Sequence, residues 1–94
     1  MSISLTDFRN TTVANDASRG TIVTLHNTQI VVFDGSMIQL DTGGLKTKTT
    51  KNRMNQTSDL FDLGFSVYQE KKEWFVDFKG DTIPFEEDTL TLIR

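Results

Sequence analysis

Residues 42–56, Thr-Gly-Gly-Leu-Lys-Thr-Lys-Thr-Thr-Lys-Asn-Arg-Met-Asn-Gln, gather four of the ten basic side chains of a protein whose net charge is −3. No carboxylate falls between Asp41 and Asp59. A cationic island crowded with hydroxyls and amides is a surface suited to an anionic partner. Gly43 and Gly44 permit a tight turn and a close approach by phosphate. Lys46, Lys48 and Lys51 bring ammonium donors, and Arg53 brings a planar fork that matches phosphate oxygens. Thr47, Thr49 and Thr50 add short hydroxyl donors, while Asn52, Asn55 and Gln56 add amides able to bond bases or sugars. If Thr49 or Thr50 caps a helix, free backbone N–H groups point at the same volume. Lys51 and Arg53 in a first turn would oppose the helix dipole by about 0.3–1 kcal/mol each, a cost that bound phosphate reverses. The glycine spacing fits neither a nucleotide P-loop nor a dinucleotide fingerprint. The competing account is a lysine-studded edge that blocks sheet-to-sheet aggregation.

Other chemistry is sparse. His26 is the only histidine and cysteine is absent, so no ordinary transition-metal site and no thiolate nucleophile can be assembled. Ser36 has no triad partner recognisable from spacing. Glu86, Glu87 and Asp88 with Asp81 could gather a divalent cation, but their spacing lacks an EF-hand pattern and solvated charge is the preferred reading. Tyr68, Trp74, Phe75 and Phe78 alternate along one hairpin, which favours a core role over stacking of bases. The expectation is a protein that is not an enzyme and uses no cofactor.

Positioning any site is the task of a single small domain of 94 residues, 36% hydrophobic, with a thin core and no disulfide to reinforce it. Fourteen threonines and seven phenylalanines, with many Val and Ile, favour a pleated half-buried surface over helix. Residues 1–20 read as a poorly defined N-terminal arm and 21–94 as a β-rich domain. Strands are expected at 21–25, at 29–33 after a His26-Asn27 turn, and at 37–40 after Asp34-Gly35, a type I′ hairpin signal. Leu45 to Lys48 could continue as an edge strand, followed by a short helix near residues 50–57 with Met54 inward. Phe65–Tyr68 and Trp74–Phe78 form a hairpin, Pro84 marks an irregular or edge position, and 89–93 is a last strand. The fold class is mainly β (α+β): a single small antiparallel sheet or partly open barrel of five or six strands with one short helix. The last strand, short of charge, must pair within the fold or with a second subunit, so a homo-oligomer enters the expectation.

The N-terminus shows no basic region followed by an apolar run, and the longest apolar stretch, 30–33, falls far short of the ~20 residues of a membrane span. A membrane is therefore not an expected partner.

The strings Leu25-His26-Asn27-Thr28-Gln29-Ile30-Val31 and Gly43-Gly44-Leu45-Lys46-Thr47-Lys48-Thr49-Thr50-Lys51-Asn52-Arg53-Met54-Asn55-Gln56 resemble small bacteriophage proteins. These share a Leu-His-x-Thr-x-Ile-Val strand and a Gly-Gly-x-x-Thr-x-Thr-Thr-Lys-x-Arg-x-Asn-Gln segment. Val67-Tyr68-Gln69 and Glu73-Trp74-Phe75-Val76 match their terminal hairpin. Leu45 stands where an aromatic often follows the glycines. The resemblance implies a phage origin and the host cytoplasm, without an activity. With the basic island it leads to a non-enzymatic phage accessory protein that binds nucleic-acid phosphates through residues 43–56. The alternatives are a counter-defence protein that sequesters a host nucleotide signal or inhibits a host protein, and a minor virion component.

Overall fold

β-Branched runs form most of the elements in the computed structural model, which describes residues 10–44 and 46–94. In chain order these are β1 (Thr11–Asp16), β2 (Gly20–Leu25), β3 (Thr28–Phe33), β4 (Met37–Asp41), α1 (Lys48–Phe61), β5 (Phe65–Glu70), β6 (Glu73–Phe78), β7 (Asp81–Pro84) and β8 (Thr89–Ile93). Neighbouring strands pair antiparallel in the orders β1-β2-β3-β4-β8 and β5-β6-β7.

The mainly β class with one helix is what composition implied. Its arrangement differs: among the described residues there are eight strands in two sheets, and neither closes into a barrel. One additional strand, β1, lies inside the segment read as an arm, where Val13 pairs with Val23. Another, β7, includes Pro84, which an outer strand tolerates. Residues 1–9 of the expected arm lie outside the described residues.

The helix is longer than the expected 50–57 stretch. Thr47, extended at φ −103°, caps it by accepting from the Thr50 N–H, and Asp62 closes it in the left-handed region. Lys46 and Thr47 are lead-in residues, so the edge strand expected over 45–48 does not form there; Leu45 itself lies outside the described residues.

Turn chemistry also departs from expectation. Gly35 does not adopt positive φ, whereas Lys71 and Lys72 both do, at 51° and 68°. The type I′ geometry thus sits in the charged β5–β6 loop. Asp34 instead works through its side chain, with Oδ1 accepting from Ser36 N–H, Ser36 Oγ–H and Met37 N–H.

Both sheets turn apolar residues into one core. Val23, Val31, Ile38, Leu40 and Leu92 come from the first sheet, and Phe65, Val67, Trp74, Val76 and Phe78 from the second. Met54 of α1 and Phe85, between β7 and β8, complete it. Phe85 is held by its N–H donating to the Trp74 carbonyl and by an edge-on ring contact with Trp74 at 6.0 Å. No helix among the described residues is long and apolar enough to cross a membrane.

Candidate anion-binding cleft

The β2–β3 turn, the end of β4 and the first turn of α1 enclose a cleft of about 450 Å³, within the size range of small-ligand sites. Leu25, His26, Asn27, Thr28 and Ile30 form one wall, and Thr42, Thr47, Thr49 and Thr50 the other. Each wall is fixed locally. His26 adopts φ 55° and its N–H donates to the Asn10 carbonyl. Thr42 N–H donates to the Asp88 carbonyl at 2.8 Å, and Thr42 Oγ–H reaches Asp88 Oδ1 at 3.0 Å. Gly43, at φ 66°, turns so close to Thr28 that a Cβ there would lie 2.5 Å from Thr28 Oγ1.

At the helix end, Thr47 Oγ1 accepts from the Thr50 N–H at 3.2 Å and shares a hydroxyl contact with Thr50 Oγ1 at 3.0 Å. The Lys48 and Thr49 amides occupy positions whose N–H groups have no carbonyl one turn earlier to bond. No acidic residue lies in this first turn, so the partial positive charge of the helix end is uncompensated by side chains of its own turn.

The sequence-derived set divides here. Thr47, Thr49 and Thr50 line the cleft and Gly43 abuts its wall. Thr50 is buried, while Gly44, Lys48 and Asn52 are exposed. Helical spacing places Lys48, Lys51 and Asn52 on one side of α1, and Thr49, Arg53 and Gln56 on an adjacent one. Arg53 is half-buried and its Nη1 donates to Gln56 Oε1 at 3.0 Å.

Two members point elsewhere. Lys46 Nζ donates to the carbonyls of Phe85 and Glu86, both at 2.8 Å, and lies 5.8 Å from the Phe85 ring centroid. Asn55 bonds the backbone of Val67 on β5. Sequence reasoning did not include His26, Asn27, Thr28 and Thr42 in the site. The Leu-His-x-Thr-x-Ile-Val string carried a signal for the first three, because its polar positions interrupt an otherwise apolar pair of strands.

Elsewhere, the hairpin aromatics separate by face. Trp74 and Phe78 are buried in the core, whereas Tyr68 and Phe75 stack on the opposite side at 5.7 Å. Among the described residues, no three His, Asp or Glu side chains cluster closely enough to hold a metal ion.

The family model described as Kyanoviridae Gp96 protein matches residues 4–91 of the chain. No curated protein matches it. No solved structure matches it either.

Proposed function

The chain belongs to the Kyanoviridae Gp96 protein family of bacteriophages, and from that premise we propose a non-enzymatic phage accessory protein that binds nucleic-acid phosphates in the host cytoplasm. The binding segment is 43–56. The observation that carries this reading is the cleft at the start of α1, where Thr47 and Thr49 meet His26 and Asn27 beside a helix end free of acidic residues. A phosphate there would receive hydroxyl and amide hydrogen bonds in a concave site. Lys48, Lys51 and Arg53 supply the surrounding positive charge, and Lys46 contributes to the fold instead.

A second reading, sequestration of a free nucleotide signal, is favoured by the shape of the site. A cleft of about 450 Å³ encloses one nucleotide more readily than it tracks a long strand.

Polarisation titrations with labelled single-stranded DNA and RNA, competed by mononucleotides, separate the two. Strand binding should weaken with salt at a log–log slope of magnitude about 2 to 3, set by the cations available. Competition by mononucleotide at equal affinity selects the nucleotide reading. Binding of neither class at low salt rejects both.

A further inference from the structure

Among the described residues, four strand edges border the two sheets, and three carry features that discourage pairing. β5 presents its outer edge to α1, whose Asn55 and Ser58 side chains bond the backbones of Val67 and Phe65. β7 is four residues long and includes Asp81 and Pro84. β1 ends in Asn15-Asp16. β8 differs. Thr-Leu-Thr-Leu-Ile contains neither charge nor proline, and its last residue, Ile93, is 69% exposed. Such an edge is a template for another strand.

We propose that β8 is a homodimer interface, in which a second copy adds its own β8 antiparallel about a two-fold axis at Thr91. Three observations converge on that occupant and register. First, Thr42 N–H donates to the Asp88 carbonyl and Arg94 N–H to the Ser36 carbonyl. The alternation of an antiparallel ladder then directs Leu90 and Leu92 toward β4 and the backbone groups of Thr89, Thr91 and Ile93 outward. Second, a two-fold axis at an outward-facing residue lets all three exchange both backbone bonds with the other copy, Thr91 with Thr91 and Thr89 with Ile93. Third, the same register sets Asp88 of each copy opposite Arg94 of the other. The uncharged strand is flanked by the carboxylate of Asp88 before it and the guanidinium of Arg94 after it, so these flanking side chains complement an antiparallel copy. Asp88 Oδ1 accepts from Thr42 and Arg94 Nη1 donates to the Asp34 carbonyl. Asp88 Oδ2 and the other guanidinium donors remain for the intermolecular pair. The result is one continuous sheet through both subunits, an isologous closed assembly.

Light scattering across a concentration series tests this on the full chain. The mass should approach twice the 10.7 kDa of the chain. Thr91→Pro removes an N–H that faces away from β4, so it should give a folded monomer, checked by circular dichroism. Thr91→Lys sets two ammonium groups face to face at the axis and should also give a monomer, which answers the question if the proline variant fails to fold. Thr91→Cys, in a chain without native cysteine, should oxidise to a covalent dimer, since directly opposed strand residues fall within disulfide range. A chain-mass particle at every concentration overturns the proposal. So does a dimer that survives Thr91→Lys, or one that Thr91→Cys does not cross-link. None of these outcomes depends on the phosphate reading.

Discussion

Asn55 bonds the backbone of Val67 as a neighbouring strand would: Nδ2 donates to the Val67 carbonyl at 2.8 Å, and Oδ1 accepts the Val67 N–H at 2.7 Å. One helical turn on, Ser58 repeats the arrangement at Phe65, with Oγ donating to the carbonyl at 2.7 Å and accepting the N–H at 3.0 Å. Two polar side chains thus complete the hydrogen bonding of an edge that would otherwise be buried unpaired. The same contacts set the height and rotation of α1, and therefore where its first turn meets the β2–β3 turn.

Removing these side chains leaves buried backbone groups unsatisfied. Asn55→Ala and Ser58→Ala should each lower unfolding free energy by about 1–3 kcal/mol in urea titrations. The double variant should lose less than the two losses added together, because both substitutions release the same edge. Wild-type stability in both single variants would show that α1 is not anchored through this edge.

Strands built from Val and Ile were legible, as were the β5–β6 hairpin and the inward Met54, because side-chain period and composition are local properties. β1 was not, since Thr-Thr-Val-Ala-Asn-Asp has too few apolar positions to show a period and is held by its pairing with β2. The helix runs past its expected end because Thr57-Ser58-Asp59, which has the composition of a cap, lies within it. Thr57 Oγ–H instead bonds back to the Arg53 carbonyl and Ser58 faces β5. Part of the cleft was visible as a threonine-rich run. Its opposite wall was not, because sequence distance conceals that the β2–β3 turn faces the start of α1. In sequence, Asn55 and Lys46 are indistinguishable from ligand groups, because an amide or ammonium that bonds the chain's own backbone is the same residue type as one that binds a ligand.

Acid should weaken the β3–β4 turn through Asp34. Hydrogen bonds from Ser36 N–H, then Ser36 Oγ–H and Met37 N–H, hold its carboxyl below the ordinary value of 3.8. The unfolded chain therefore takes up the proton first as pH falls. The contribution is complete above about pH 3.8 and is lost as pH drops through the lower, folded value. Asp34→Asn keeps an acceptor oxygen but cannot titrate. Its urea midpoint should fall less steeply than that of the wild type below pH 4, while Asp16, lowered chiefly by the Ser18 hydroxyl, continues to titrate in both. Parallel acid profiles would remove Asp34 from this account.

Gly43→Ala tests the cleft wall. The new Cβ would stand 2.5 Å from Thr28 Oγ1 and 2.8 Å from its Cγ2, on a backbone at φ 66°. Steric conflict adds to a left-handed penalty of about 1–2 kcal/mol. Gly44→Ala, at φ 86° with nothing within 4 Å, should show the conformational penalty alone. Adding Thr28→Ala to Gly43→Ala should recover part of the loss. Equal destabilisation by Gly43→Ala and Gly44→Ala would show that Thr28 does not press on Gly43 in solution.

The lysines of the basic run should separate by phenotype. Lys46 Nζ donates to the Phe85 and Glu86 carbonyls at 2.8 Å and ties the α1 lead-in to the segment before β8. Lys46→Ala should lower unfolding free energy by about 1 kcal/mol, toward the weak end for charged hydrogen bonds because the side chain is exposed. Its affinity for a phosphate ligand should change less than twofold. Lys48→Glu with Lys51→Glu should do the reverse, keeping or raising the urea midpoint because carboxylates suit the first turn of a helix, while weakening binding at least tenfold at low salt, since each reversal places a carboxylate where phosphate must sit. Both measurements are made on every variant. If Lys46→Ala weakens binding as strongly as the charge reversal does, the ammonium leaves the two carbonyls for the ligand, and the division of the basic run into a structural lysine and binding lysines is wrong.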